Sequence, residues 1–438
     1  MRVLVIGSGG REHALVWKLS QSKGLTKLYC APGNPGIGEL AECVPIQSTD
    51  ITSLCEFAKA ERIDLTVVGP EQPLASGIVD LFQAESLQIF GPTKRAAELE
   101  WSKSFAKDFM LRHRIPTARH RTFSRLEISD ATAHVESINL PVVIKANGLA
   151  AGKGVAICTS LEEAHLALDT MMKMGNGESV VIEEFLEGEE ASVFAVCDGR
   201  SYVVLAPAQD HKRVFDGDRG KNTGGMGAYA PASVVSGEVL EIVQKQIIGP
   251  TLRGMMEEGR PYKGCLYCGL MITTDGPKVI EYNCRFGDPE TQVVIPLYEG
   301  DLLKLLLAAC GDTVSDFPSQ TEHGSSAVCV VLASGGYPDS YQTEFPISGL
   351  DAVRKIPDVL VFHAGTKRQG DGIVTAGGRV LAVTAWTKNE SLRQAIDNAY
   401  DAVQLVSFRE MHFRKDIGRK AFAHEEPGRH VSAIAKSE

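Results

Sequence analysis

The chain has 438 residues, 44% hydrophobic and 23% charged, a balance that excludes a largely disordered or fibrous protein and, at roughly 150 residues per domain, predicts about three domains. With 55 acidic and 45 basic residues the formal net charge is −10, which argues against a broad, sequence-independent attraction to nucleic acid or anionic lipid. No apolar run approaches the roughly 18 residues of a membrane span, and the opening run RVLVIG is too short for a secretory signal, so neither export nor membrane insertion is expected. The ten cysteines are scattered through apolar, strand-like contexts and lack the dense spacing of a disulfide framework, which fits a reducing cytoplasm. Cys265 and Cys268 form one CxxC without a second pair; on a strand they would point to opposite faces, as core thiols do.

Along the chain, apolar runs at 2–7, 26–30, 64–69 and 87–91 alternate with helix-like segments and close in Gly or Pro, which predicts a parallel α/β sheet with loops at its strand ends. A polar helix at about 94–114, stopped by Pro116, connects to a second unit. There the order is strand, glycine-rich loop, helix at 161–174, strand at 179–185 and a hairpin turning on Asp198-Gly199, an α+β pattern with antiparallel pairing. A polar loop without secondary structure is expected over 209–231, followed by a helix at 236–258 and two strands joined at Asp275-Gly276. Beyond about 318 a last unit begins, with strands at 327–333, 359–364 and 380–385 and a helix at 390–405. The polar tail from about 424 is expected to be poorly ordered, and no repeat of fixed period is evident.

Four glycine-containing loops carry chemistry. Gly7 to His13 reads GSGGREH between a strand and a helix, where backbone amides can hold a phosphate. As a dinucleotide fingerprint it fails, because the third glycine falls at Glu12 and the second strand ends in Cys30-Ala31-Pro32 with no acidic residue for a ribose. A tight turn needing glycines is the alternative reading. The PGNPG loop at 32–36 and GPEQP at 69–73 close two further strands at what would be the same sheet edge, so the three loops could converge on one ligand. The loop NGLAAGKG at 147–154, following Lys145, has three residues between its glycines and Gly154 after the lysine, so it is not a P-loop. A flexible lid of amides and a lysine can still cover nucleotide phosphates.

Acidic residues gather where VVIEEFLEGEE ends a strand, in reach of a nucleoside's base and ribose. In EYNCR, Glu281, Asn283 and Arg285 share one strand face: two oxygen donors suit Mg²⁺, and a guanidinium beside them suits a transferring phosphoryl group. A solvated edge-strand face is the alternative, weakened by the apolar opposite face. The segment from Asp210 to Gly227, dense in donors and acceptors, is read as a substrate loop. His211, alone in a basic run, is expected to be solvated and a poor catalytic candidate.

The motifs GSGGREHAL, PGNPG, GPEQPL, KANGLAAGKGV, DHKRVFDGDRGKNTGGMGAY and NCRFGDPETQ, with FHAGT from Phe362 and an RKDIG segment from Arg414, together resemble the ATP-grasp superfamily and, within it, the phosphoribosylamine-glycine ligases, from Met1 to about Ala421. The resemblance implies a multidomain α/β and α+β chain: an amino-terminal parallel α/β domain at 1–102, an ATP-grasp lid with connector helix at 103–190, a central ATP-grasp domain with the metal site at 191–325, a small carboxy-terminal α+β domain at 326–422, and a tail at 423–438. It implies that ATP, glycine and 5-phosphoribosylamine give glycinamide ribonucleotide, ADP and phosphate through glycyl phosphate, in de novo purine synthesis.

By the same resemblance Lys103 and Lys145 hold nucleotide phosphates under the lid of Gly152, Lys153 and Gly154. Glu183, Phe185 and Leu186 form the adenine hinge, and Glu190 binds the ribose. Glu281 and Asn283 bind Mg²⁺, with Mn²⁺ as a substitute, and Arg285 steadies the γ-phosphate or the glycine carboxylate. Gly9, Gly10, Arg11, Asn34 and Glu71 hold phosphoribosylamine; Asp210, Lys212, Asp216, Asn222 and Thr223 line the acceptor side, with Asn222 and Thr223 in catalytic positions beside Arg285 and Lys145. A cytoplasmic, single-activity enzyme is expected, monomeric or weakly dimeric, with small-molecule substrates and neither nucleic-acid nor membrane partners. Two rivals are a carboxylase of the same superfamily, which bicarbonate dependence would reveal, and an NAD-dependent oxidoreductase or nucleotide sensor.

Overall fold

Residues 1–149, 154–173, 179–318, 324–388 and 391–422 are described by a computed structural model. Continuous apolar runs suit strands buried on both faces, and the run Arg2–Gly7 is the centre of a five-stranded parallel sheet, flanked by Lys27–Pro32 and Leu65–Val68 with Glu42–Cys43 and Ile89–Phe90 at the edges. Strand order reverses about Arg2–Gly7, so the loops after it and after Leu65–Val68 flank a switch-point crevice, the usual place for a ligand in such sheets.

The connector expected as one helix is two, Glu98–Trp101 and Lys103–Arg112. Ser102 between them is extended and its hydroxyl accepts the Phe105 amide, so a serine buried in a polar run acts as an N-cap and restarts the helix. It sets Lys103 at the first position of the second helix.

The lid that follows is a four-stranded antiparallel sheet in the order His120–Ser124, Ser179–Glu184, Val142–Ala146, Val155–Cys158. Helices Ile128–Ser137 and Leu161–Met171 cover it, burying Phe123, Ile144, Val180, Ala164 and Leu168 in a core of its own. The central sheet is also antiparallel, in the order Tyr202–Val204, Glu189–Asp198, Lys263–Thr273, Gly276–Asn283. It shares a core with the amino-terminal sheet: Leu4, Ile6 and Val68 pack in one cluster with Leu266, Cys268 and Leu270. Cys265 lies in a different cluster from Cys268, as alternation along a strand requires, and both are free thiols.

Segment 209–231 departs from its expected looped state. Gln209–Asp210 and Gly227–Ala230 pair with each other and add to the carboxy-terminal sheet beside Ser326–Ala333, Arg379–Thr387 and Val359–His363, while Arg213–Phe215 and Arg219–Asn222 form a separate hairpin. These strands are too short to show a period, and the partner that ties them into the sheet, Ser326–Ala333 beside Gly227–Ala230, lies about a hundred residues away, so local pattern could not reveal them. The helix expected at 236–258 is interrupted by a π turn at Gln244–Ile248 between Gly237–Val243 and Gly249–Glu257. The expected helix at 390–405 is observed as Leu392–Val403, packed on the carboxy-terminal sheet. The tail at 423–438 lies outside the described residues.

The amino-terminal and carboxy-terminal units meet at two buried histidines. The His363 amide donates to His13 Nδ1 at 2.8 Å, and Asn34 Nδ2 donates to the His363 carbonyl at 2.8 Å. Burial, with His363 and Arg354 nearby, pulls His13 down to about 3, and burial, with Arg354 and Arg368 nearby, pulls His363 down to about 4, so both rings pack neutral. A Cβ on Gly36 would strike both rings. Gly36→Ala is therefore expected to lower stability by about 1–3 kcal/mol through overpacking, measurable by denaturant unfolding.

Candidate active site

The nucleotide side is built where the lid meets the central sheet. Lys145 stands on Val142–Ala146 and Glu183 on the neighbouring Ser179–Glu184, two register positions apart on the same face. Lys145 Nζ lies 2.9 Å from Glu183 Oε1 and 3.0 Å from Oε2, and donates to the Ile280 carbonyl at 3.2 Å. From the helix below, Lys107 Nζ reaches Glu183 Oε2 at 2.9 Å and Thr117 Oγ1 at 2.8 Å. One carboxylate thus serves two ammonium groups, all three side chains being at most 5% exposed. Burial would raise the Glu183 carboxyl, but Lys145 and Lys107 hold it below the usual range; burial pulls Lys107 down to about 8. Glu183 is committed to these lysines through its side chain, and Phe185 and Leu186 continue the chain beyond the strand.

Lys103 Nζ donates to the Gly148 carbonyl at 2.8 Å, and burial lowers it against the opposing influence of Glu281. Gly154 directly precedes the return strand of the lid, its carbonyl accepting the Ala146 amide at 2.8 Å; Gly152 and Lys153 lie outside the described residues.

Opposite these lysines, Gly276–Asn283 contains a bulge: Gly269 pairs with Glu281 while Leu270 pairs with Val279, leaving Ile280 as the extra residue. The bulge turns the Ile280 carbonyl to Lys145, and beyond it Glu281 and Asn283 share a face. A Cβ on Gly269 would sit 3.3 Å from Glu281 Cγ, so the glycine leaves that side chain room. No cluster of three or more His, Cys, Asp or Glu able to hold a metal occurs among the described residues. Two hard oxygen donors on one face nonetheless fit a divalent ion whose remaining ligands are phosphate oxygens and water.

Arg285, just past the strand, is not free: its guanidinium lies 3.4 Å from Glu71 and 3.2 Å from Glu100. Burial would lower it, but Glu100 and Glu71 raise it further above its ordinary value. Burial tends to raise Glu71, yet Arg285 and Arg11 hold it below its usual range; burial lifts Glu100, which also accepts the Cys284 amide at 2.7 Å. Glu100 was not singled out from sequence, where it reads as one acid in a polar connector; its position just ahead of Lys103 was the available signal.

At the amino-terminal turn, Glu12 turns back into the crevice. It accepts the Gly9 amide at 2.6 Å and pairs with Arg11 at 2.5 Å, and it fills the space a side chain at Gly7 or Gly69 would need. Glu12, unforeseen from sequence, therefore accounts for two of the glycines. Arg11 also donates to the Phe286 carbonyl at 3.3 Å, and Gly10 faces Gln292. The Asn34 amide is used within the protein, donating to Ser8 and His363 carbonyls and accepting from Ile37.

On the acceptor side Lys212 pairs with Glu190 at 2.5 Å, beside Asp210. Burial pushes Asp210 up to about 7, with Lys212 opposing and Glu290 and Glu190 assisting. Glu290, unforeseen from sequence, accepts hydroxyls of Ser192 at 3.1 Å and Tyr267 at 3.0 Å. Thr223 donates to the Lys212 carbonyl at 2.8 Å, Asn222 is exposed at the end of its hairpin, and Asp216 accepts the Lys415 amide at 2.8 Å. The expected solvated state of His211 is corrected: the ring is fully buried, neither nitrogen has a hydrogen-bond partner among the described residues, and burial pulls it down to about 3. The carboxy-terminal segment at Arg414, Asp416 and Lys420 covers this region, which local sequence could not show.

A lid sheet and a central sheet that grip lysines between them, opposite a strand bearing paired oxygen donors, define an ATP-grasp phosphoryl-transfer enzyme, a class that uses ATP with a divalent metal ion. The sequence profiles of the phosphoribosylglycinamide synthetase family match in order, the N domain at 1–100, the ATP-grasp (A) domain at 101–291 and the C domain at 327–420. The chain belongs to that family. It is 50% identical over 428 residues to the phosphoribosylamine–glycine ligase of Rhizobium meliloti (strain 1021), covering 97% of this chain and 100% of that one. It is similar in structure to the phosphoribosylamine–glycine ligase of Thermotoga maritima, with a TM-score of 0.81, 33% identity and coverage of 95% and 100%. The biotin carboxylase domain of Hydrogenobacter thermophilus 2-oxoglutarate carboxylase shares the fold alone, at 16% identity and a TM-score of 0.71 over 94% of this chain and 91% of that one. No described helix is long and apolar enough to cross a membrane.

Proposed function

We infer that the chain ligates glycine to 5-phosphoribosylamine with ATP, giving glycinamide ribonucleotide, ADP and phosphate, a step of purine biosynthesis. The observation that carries this reading is the family match along three successive domains, together with half-identity to a ligase over nearly the whole chain. A carboxylate is a poor acceptor for an amine, so the γ-phosphoryl group passes first to glycine, and the amine displaces phosphate from the resulting glycyl phosphate. Neutralisation and positioning supply most of the catalysis.

In this reading Lys145 and Lys103 hold nucleotide phosphates, and Gly152, Lys153 and Gly154 close over them. The backbone of 183–186 receives the adenine and Glu190 the ribose. Glu281 and Asn283 would hold Mg²⁺, or Mn²⁺ in its place, which when bound neutralises charge on the transferring phosphoryl group. Arg285, fixed between Glu71 and Glu100, steadies the γ-phosphate or the glycine carboxylate. The turn at Gly9, Gly10 and Arg11, the loop at Asn34 and Glu71 shape the phosphoribosylamine side. Asp210, Lys212, Asp216, Asn222 and Thr223 shape the acceptor side.

The units are taken as 1–102, 103–190, 191–325 and 326–422. The chain works in the cytoplasm on small molecules, as a monomer or weak dimer, without nucleic-acid or membrane partners. ADP release with Mg²⁺-ATP tests the reaction: it should require both glycine and phosphoribosylamine generated in situ, with glycinamide ribonucleotide formed one for one. Release indifferent to glycine, or dependent on bicarbonate, would overturn the substrate assignment.

A further inference from the structure

Arg379 belongs to the carboxy-terminal sheet, at the start of Arg379–Thr387, yet its guanidinium serves two distant segments. Nη1 donates to the carbonyls of Gly224 at 2.6 Å and Asp288 at 3.0 Å, and Nη2 donates to Asp288 Oδ2 at 2.7 Å. Gly224 follows Asn222 and Thr223 directly, and Asp288 lies three residues past Arg285. Gly225, at φ +108°, lies so close on Pro289 that a Cβ there would strike its ring.

The chain of contacts continues to the amino-terminal turn. The other Asp288 oxygen accepts Gln292 Nε2 at 2.7 Å, a Cβ on Gly10 would lie 2.7 Å from that nitrogen, and one on Gly9 would lie 3.7 Å from Asp288 Oδ2. One side chain from outside the nucleotide-binding sheets therefore sets the spacing between the acceptor loop, the segment after the catalytic strand and the glycine turn. The glycine turn and the acceptor loop shape the amine side in the ligase reading, on which this inference rests, and Asp288 joins them; the ATP-holding lysines lie elsewhere.

We propose that Arg379 is a positioning residue for 5-phosphoribosylamine, acting through Asp288 and the Gly224 carbonyl to hold the acceptor loop against the amino-terminal turn. A planar guanidinium can bind acceptors on two segments at once, whereas a lysine ammonium on a flexible stem keeps the charge and loses that fork.

The test is steady-state kinetics of R379K and R379A beside wild type, with each substrate varied in turn. R379K should fold with a melting transition close to wild type and show a KM for phosphoribosylamine raised about tenfold or more, with lower kcat, as small misplacements of a reacting group do. Its KM values for ATP and glycine should stay within about twofold. Guanidinium chloride at millimolar concentration should restore part of the turnover of R379A. An unchanged phosphoribosylamine KM in R379K, or an equal rise for all three substrates, would overturn the proposal, as would a folded R379A indifferent to guanidinium. Wild type that turns over ATP without needing phosphoribosylamine would instead overturn the ligase reading, and this role with it.

Discussion

Glu281→Ala is expected to lower turnover on the order of 10²–10³-fold or more, the scale on which loss of one charge-stabilising group at a reacting centre is felt. The side chain lies on the face of Gly276–Asn283 that looks toward Lys103, within electrostatic reach of its ammonium, and it is not part of an apolar core cluster. Its loss therefore leaves the sheet intact, since strand pairing through Gly269 and the bulge at Ile280 is made by backbone. Glu281→Gln, which keeps shape and one oxygen but removes the charge, should fall close to the alanine variant in turnover and close to wild type in melting temperature. Steady-state ADP release and a thermal melt on the two variants check this. Near-normal turnover of Glu281→Ala would remove the metal assignment. A large drop in melting temperature would move the residue from chemistry to structure.

The strands that carry Glu281 and Lys145 were legible because Gly276–Asn283 and Val142–Ala146 announce themselves by an apolar run closed with a hairpin turn or a glycine loop, whereas His120–Ser124, with a polar, half-buried pattern, offered no such signal. Asp198-Gly199 and Asp275-Gly276 turn where expected, and Gly199 and Gly276 both have positive φ, which their neighbours would resist. What local pattern could not supply is the partner across long separations. Arg285 reads as one cation beside two oxygen donors; its contacts to Glu71 and Glu100 bridge separations of about two hundred residues. The same holds for His211, whose basic neighbours suggest solvent until Arg414 and Lys420 close over it. The glycines of the amino-terminal turn were legible as a close approach, but the group approaching two of them is Glu12 of the same chain. Residue type told that space was needed, and only the fold tells what occupies it.

Glu183→Ala should be the most destabilising single substitution at the site, by about 3–5 kcal/mol, because removing one partner of a buried ion pair leaves charge uncompensated. Here it leaves two ammonium groups, Lys107 and Lys145, which the carboxylate holds at 2.9 Å each in a setting at most 5% exposed. Adding Lys107→Met to that background should restore part of the loss by replacing one orphaned cation with an apolar side chain of similar length. A double-mutant cycle on unfolding free energies would then give a coupling of about 1–3 kcal/mol, and a cycle that closes to zero would show that the two groups do not interact. The pH dependence has a definite sign. Burial already draws Lys107 down to about 8 with Glu183 present, below its unfolded value, so the unfolded chain binds the proton more tightly and stability from this group rises with pH across that interval. Glu183 has its folded value depressed, so its contribution is present above the unfolded carboxyl value and is lost as pH falls through the folded one. Without the carboxylate the acidic loss should vanish and the alkaline gain should begin at lower pH, since the strongest influence holding the Lys107 proton in place is then gone and only the weaker one of Glu281 remains. Melting curves of wild type and Glu183→Ala from acid to about pH 10 distinguish this from plain loss of packing, which would shift both curves by one constant amount.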